Sequence, residues 1–135
     1  MCYRTMEEVG GVKVSIEAIK MYQKALGYDF DTMSLHKRMQ SFRDYMAALV
    51  VEQGELATEV QWKPWRNTNQ QKFNKRKALL EFIDCYFFLI DQGLALGFTA
   101  QEIEDTFYLK LNVNMERINS SYNNTKEERN NTGTE

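Results

Sequence analysis

Positive charge is in short supply: 17 Lys and Arg stand against 19 Asp and Glu, for a formal net charge of −2. That balance gives no support for a nucleic-acid partner. Cysteine occurs twice, as Cys2 and Cys85, too few for a disulfide framework. Their placement suits reduced thiols in a cytosolic, cytoplasmic protein. No run of about 18 apolar residues exists, which excludes a membrane-spanning helix, and M-C-Y-R-T-M-E-E-V-G-G lacks the apolar stretch of a signal peptide. Strand-like alternation and internal repeats are also missing. Histidine occurs once, and His36, at a charged helix start, is expected to be solvated. Proline occurs once, at Pro64, where it ends a helix.

What remains is an all-α pattern in one domain. At 135 residues, with 13% aromatic residues and seven Met, the chain can build a real core. Residues 1–11 form a loose arm ending in Gly10-Gly11. Val12, Ile16, Ile19, Tyr22 and Leu26 mark a first helix over 12–26, stopped at Gly27. A second, over 35–61, carries Leu35, Met39, Phe42, Met46, Leu49, Val50 and Leu56 as its apolar stripe. A third spans 73–96. A fourth, over 100–118, opens with the capping box Thr99-Ala-Gln-Glu102 and shows Ile103, Phe107, Leu111 and Met115 on one face. The expected domain is 1–122, a bundle of about four helices, and the polar stretch 123–135 is expected to be a disordered tail.

Three features carry chemistry. Glu52, Glu55 and Glu59 recur at steps of three and four, on one helix face. Glu81 and Asp84 form a second acidic pair, inside the apolar run L-L-E-F-I-D-C-Y-F-F-L-I, so they are expected to face the interior or a cleft. Two such helices facing each other would make an oxygen cage suited to Mg²⁺. A solvated acidic face, or neutralisation by Lys75, Arg76 and Lys77, are the structural alternatives. The segment W-K-P-W-R interleaves Trp62 and Trp65 with Lys63 and Arg66, rings to stack on a base and cations to meet phosphates, although tryptophan is more often core. Lys110, Asn114 and Arg117 form a polar stripe on the last helix. Together these suggest a site for an anionic, metal-chelating ligand such as a nucleoside triphosphate.

The pairing of E-x-x-E with E-x-x-D on successive helices resembles the all-α nucleoside triphosphate pyrophosphatases, which include the MazG proteins. The details resemble the dimeric dUTPase branch, with its phage dCTPase-dUTPases. Glu52-Gln53-Gly54-Glu55 runs into Trp62-Lys63-Pro64-Trp65; Glu81-Phe82-Ile83-Asp84 follows; Lys110, Asn114, Arg117 and Tyr122 match a late segment. The resemblance spans about residues 45–122 and implies a homodimer that hydrolyses dUTP to dUMP and pyrophosphate with Mg²⁺, Mn²⁺ being a possible substitute. Glu52, Glu55, Glu81 and Asp84 would hold the metal, with Glu55 or Glu52 handling the attacking water. Lys63, Lys110 and Arg117 would neutralise phosphates. Trp62, Trp65, Asn114 and Tyr122 would line the nucleoside, with Gln23, or Gln40 in its stead, against the base.

The chain departs from that pattern at Phe87, where the family usually has His, and at Leu111, Ile118 and Ser121. A Phe offers no conventional hydrogen bond, so pyrimidine choice could broaden or shift towards dCTP. A broader-specificity nucleotide pyrophosphatase, and a non-catalytic helical binding or regulatory protein on the same fold, are the alternatives.

Overall fold

A computed structural model of the chain describes residues 15–60, 62, 63, 65 and 73–131, with side chains as far as 121. Four helices follow in order: α1 (Ile16–Ala25), α2 (Leu35–Glu59), α3 (Lys75–Ala95) and α4 (Ala100–Asn131). No strand occurs among the described residues, so the all-α class is as the sequence suggests. The expected arm over 1–11, Val12, Pro64 and Arg66 lie outside the described residues.

Helix ends fall where side chains answer free backbone groups. Ser15 Oγ accepts from Ala18 N at 3.2 Å, Ser34 Oγ from Lys37 N at 3.3 Å, and Asn74 Oδ1 from Lys77 N at 3.1 Å. These caps start α1 and α3 later than the apolar periodicity alone suggests. Before α4, Glu102 Oε2 accepts from Thr99 N at 2.8 Å while Glu102 N donates to Thr99 Oγ1 at 3.1 Å. That is the reciprocal capping box the sequence signals. Gly27 and Gly97 stop α1 and α3 with φ of +97° and +88°, values that favour glycine.

The end of α4 differs from the sequence expectation. The backbone stays helical through Asn131, where a helix ending near 118 and a polar tail are expected. Ser120 and Ser121 hydroxyls donate to the carbonyls of Glu116 and Arg117, each at 2.9 Å, so both bonds stay inside the helix. Beyond them the sequence supplies Lys126, Glu127, Glu128 and Arg129, all good helix formers.

The chain divides into two compact units, one ending at Gly97 and one beginning at Phe98. In the first, α2 and α3 pack as an antiparallel hairpin. Facing pairs step up one helix as they step down the other: Arg38 beside Gly97, then Tyr45 against Phe88, then Glu52 and Glu55 against Glu81. Helix α1 packs on α3. The core is Ile19, Phe30, Tyr45, Ile90, Leu94 and Ala95, flanked by Ile16, Met33, Phe42, Tyr86 and Phe88.

The apolar stripes expected of the first two helices are only partly buried. Ile16 and Ile19 face inward, but Tyr22 and Leu26 are exposed, and Gln23 takes the inward position a turn after Ile19. On α2, Leu35, Met46 and Val50 are exposed, while Ser41 and Tyr45 are buried. The reason is local: the inward face of α2 is defined by α3 and the loop at Phe30, and that line runs through Tyr45. In the second unit, Phe98, Ile103, Phe107 and Leu111 share a groove along α4 with Lys110 and Asn114.

Candidate active site

Helices α2 and α3 bring three of the four expected acids together. One carboxylate oxygen each from Glu52, Glu55 and Glu81 lie within 4.8 Å of one another. Glu52 and Glu55 share a face of α2 because they are three residues apart, and the antiparallel pairing sets Glu81 of α3 opposite them. Asp84 lies outside that tight trio but acts electrostatically on both Glu52 and Glu81, and Glu59 acts on Glu81. Desolvation, then the neighbouring Glu55 and Asp84, hold the carboxyls of Glu52 and Glu81 above the usual glutamate range.

The cluster is less enclosed than the apolar run around Glu81 suggests. Glu52 and Glu81 are half-buried, while Glu55 and Asp84 are exposed. Helix α3 turns only one face to its neighbours, so Leu79, Leu80 and Phe82 of the same run are exposed as well. Among the described residues no lysine or arginine is ion-paired to these acids; Lys20 pairs with Asp31 at 3.1 Å and Lys24 with Asp29 at 3.4 Å. Counter-charge from Lys75, Arg76 and Lys77, the structural alternative for the cluster, is therefore not what is seen. Converging carboxylates with no ion-paired lysine or arginine among the described residues form a hard oxygen donor set, which fits a divalent cation such as Mg²⁺. At Gly54, between the acids, a Cβ would meet nothing within 4 Å, so that glycine is not needed for helix packing among the described residues.

The remaining expected site residues are distributed as follows. Trp62 and Trp65, both exposed, stand edge to face with ring centroids 5.7 Å apart, and Lys63 between them is exposed. Lys110 and Asn114 line the groove of α4, with Arg117 one turn beyond Asn114. The side chain of Tyr122 lies outside the described residues. Phe87 is 40% exposed, three residues past Asp84. Gln23 is elsewhere: it is buried, its Nε2 donates to Asp91 Oδ2 at 2.8 Å, and its Oε1 accepts from Tyr45 OH at 3.1 Å. Gln40 is exposed.

The buried partners Tyr45 and Asp91 are absent from the sequence reading. Asp91 is 1% exposed and sits in L-I-D-Q-G-L-A. An acid in an apolar run was the available signal, the same one that singled out Glu81 and Asp84.

Comparison with known proteins adds to this geometry. A family model described as dUTPase matches residues 15–96. The chain belongs to the dUTPase family. The matched span holds α1 to α3, all four acids and both tryptophans, and ends before Lys110, Asn114 and Arg117. Among curated proteins, the dCTP pyrophosphatase of Enterobacteria phage T4 is 27% identical over 92 residues, covering 60% of this chain and 54% of the relative. The dCTP pyrophosphatase of Enterobacteria phage LZ5 is 29% identical over 79 residues, covering 51% and 46%. The chain thus spans about half the length of the curated relatives it matches. No solved structure matches significantly.

Proposed function

We propose that the protein is a Mg²⁺-dependent pyrophosphatase of pyrimidine deoxynucleoside triphosphates, taking dUTP to dUMP and pyrophosphate. The observation that carries this reading is the convergence of Glu52, Glu55 and Glu81 without an ion-pair partner among the described residues. Family membership and the phage relatives named as dCTP pyrophosphatases support the reaction class.

Glu52, Glu55 and Glu81, with Asp84 beside them, would hold the ion. When bound, the ion supplies positive charge against the triphosphate oxygens. Glu55, the exposed member of the trio, accepts the proton of the attacking water, with Glu52 as the neighbouring acid that keeps its oxygen placed. Water attack on a phosphorus breaks the bridge between the α and β phosphates and releases the monophosphate and pyrophosphate. Lys63 neutralises phosphate charge, and Lys110 and Arg117 of the second unit are the further cations the family resemblance implies. Trp62 and Trp65 offer aromatic faces to the base. The assembly is a homodimer, a reading supported by the exposed apolar side chains of Leu79, Phe82 and Leu89 on α3.

A second substrate reading, dCTP, is favoured by the names of the two relatives and by Phe87, which removes a hydrogen-bonding ring. Pyrophosphate release from a panel of dNTPs and NTPs, with Mg²⁺ and with EDTA, separates the two. Metal-dependent turnover of dUTP alone supports the first reading, and turnover of dCTP moves the specificity. Absence of any turnover by the folded protein leaves a non-catalytic binding protein. Glu81→Ala is expected to lower turnover and Mg²⁺ affinity by at least about 100-fold, above the loss typical of residues that merely support a metal ligand. Unchanged values would remove the cluster from the reaction.

A further inference from the structure

The three helices of the first unit meet at one polar point inside the core. Gln23 comes from α1, Tyr45 from α2 and Asp91 from α3. Gln23 binds Asp91 Oδ2 through Nε2 and Tyr45 OH through Oε1, at 2.8 and 3.1 Å. All three are buried, Asp91 to 1% exposure. Asp91 Oδ1 is buried with no hydrogen-bond partner. The surroundings are Ile19, Phe30, Ile90, Leu94 and the rings of Tyr28 and Phe88. A carboxylate in such a place keeps a negative charge with one oxygen unanswered, whereas the neutral acid leaves only an unmatched hydroxyl, a far smaller penalty.

The groups facing Asp91 do not relieve this. Helix α1 offers the uncharged Gln23; its Lys20 and Lys24 are committed to Asp31 and Asp29 in the loop that follows. Helix α2 offers the phenol of Tyr45, whose own ionisation burial and Asp91 oppose. Arg38, also on α2, lies two turns before Tyr45 with its guanidinium beside Gly97. On α3 the adjacent polar group is the Gln92 amide, whose Nε2 is itself buried and unpartnered.

We propose that this node is a proton-dependent latch for α1: Asp91 carries a proton on Oδ1 when α1 is seated, and loss of that proton to solvent loosens α1 from α3. Burial pushes the Asp91 carboxyl up to about 6, while the hydrogen bond from Gln23 pulls it the other way. An acid whose value is raised in the seated state binds more protons there than when released. Seating is therefore strongest at acid pH and weakens as pH rises from the usual 3.8 through about 6. The latch is independent of the enzymatic reading, because Asp91 stands seven residues from Asp84 and touches none of the clustered acids.

The test is hydrogen exchange of the full chain from pH 5 to pH 7.5, corrected for the intrinsic pH dependence of exchange, comparing α1 amides with α3 amides. With a value near 6 against the usual 3.8, α1 protection should fall roughly ten-fold across that range, with α3 changing less. Asp91→Asn, which keeps an acceptor for Gln23 and cannot ionise, should give a flat profile. A flat wild-type profile, a fall retained in D91N, or an equal fall in α1 and α3 would each overturn the latch. Carbon-13 carboxyl titration of the wild-type protein makes the same decision without a variant: a midpoint above 5 supports it, and a midpoint below 5 overturns it.

Discussion

At the scale of single residues, two glycines of nearly the same backbone conformation make a controlled pair. Gly27 has φ of +97° and open space where a Cβ would go; Gly97 has φ of +88° and Arg38 Nη1 at 2.8 Å from that point. Replacing either by alanine imposes the left-handed penalty, about 1–2 kcal/mol. Gly97→Ala also has to displace the Arg38 guanidinium, the far end of a flexible side chain, which adds a smaller cost. Urea unfolding should therefore show both variants destabilised, with Gly97→Ala the worse of the two. Equal losses would mean that the Arg38 contact contributes nothing.

At the scale of elements, the helix ends closed by a local cap or a left-handed glycine are legible in the sequence, whereas the far end of α4 is not. Ser34, Thr99 with Glu102, Gly27 and Gly97 each act through a bond or a dihedral confined to neighbouring residues. The acidic cluster was legible for a similar reason, since a step of three on a helix fixes which side chains are neighbours. The buried node was not. Gln23 and Tyr45 face inward because of what α3 and Phe30 present to them, and no periodicity within α1 or α2 contains that information. The same limit accounts for Met46 and Val50, which fit the apolar stripe of α2 yet are exposed. Gly54 yields a prediction at this scale. It lies inside α2 with nothing near its missing Cβ, so Gly54→Ala should stabilise the protein by about 0.5–1 kcal/mol. If the proposed nucleotide approaches α2 closely between Glu52 and Glu55, the same variant should lose turnover while gaining stability. A gain in both would place the substrate away from that backbone.

At the scale of the whole molecule, the crowded acids set how stability responds to pH and metal. Glu52 and Glu81 have carboxyls raised above their usual 4.5, so the folded chain binds more protons than the unfolded one above that pH. Their contribution is present at acid pH and is lost as pH rises through the raised values, and Asp91 acts in the same direction. In EDTA the protein should therefore resist urea better at pH 5 than at pH 7.5. Millimolar Mg²⁺ should restore stability at the higher pH, by about 2.7 kcal/mol when the ion is at 100 times its Kd. The measurement is paired unfolding curves at both pH values. A metal-free protein equally stable at both would mean that the acids do not strain the fold.

The α2–α3 hairpin also limits how sequences of this kind can diverge. Two members of the core node and the acidic cluster lie on the same two helices, seven residues apart on each: Tyr45 to Glu52 on the way out, Asp84 to Asp91 on the way back. Losing one residue within either interval would turn everything beyond it by roughly 100° about the helix axis, following from 3.6 residues per turn. The acids would then point away from one another, or Asp91 would swing out of the core. Insertions and deletions should therefore be excluded from 45–55 and 81–91 in functional relatives and collect between α2 and α3, where an added residue leaves both registers unchanged.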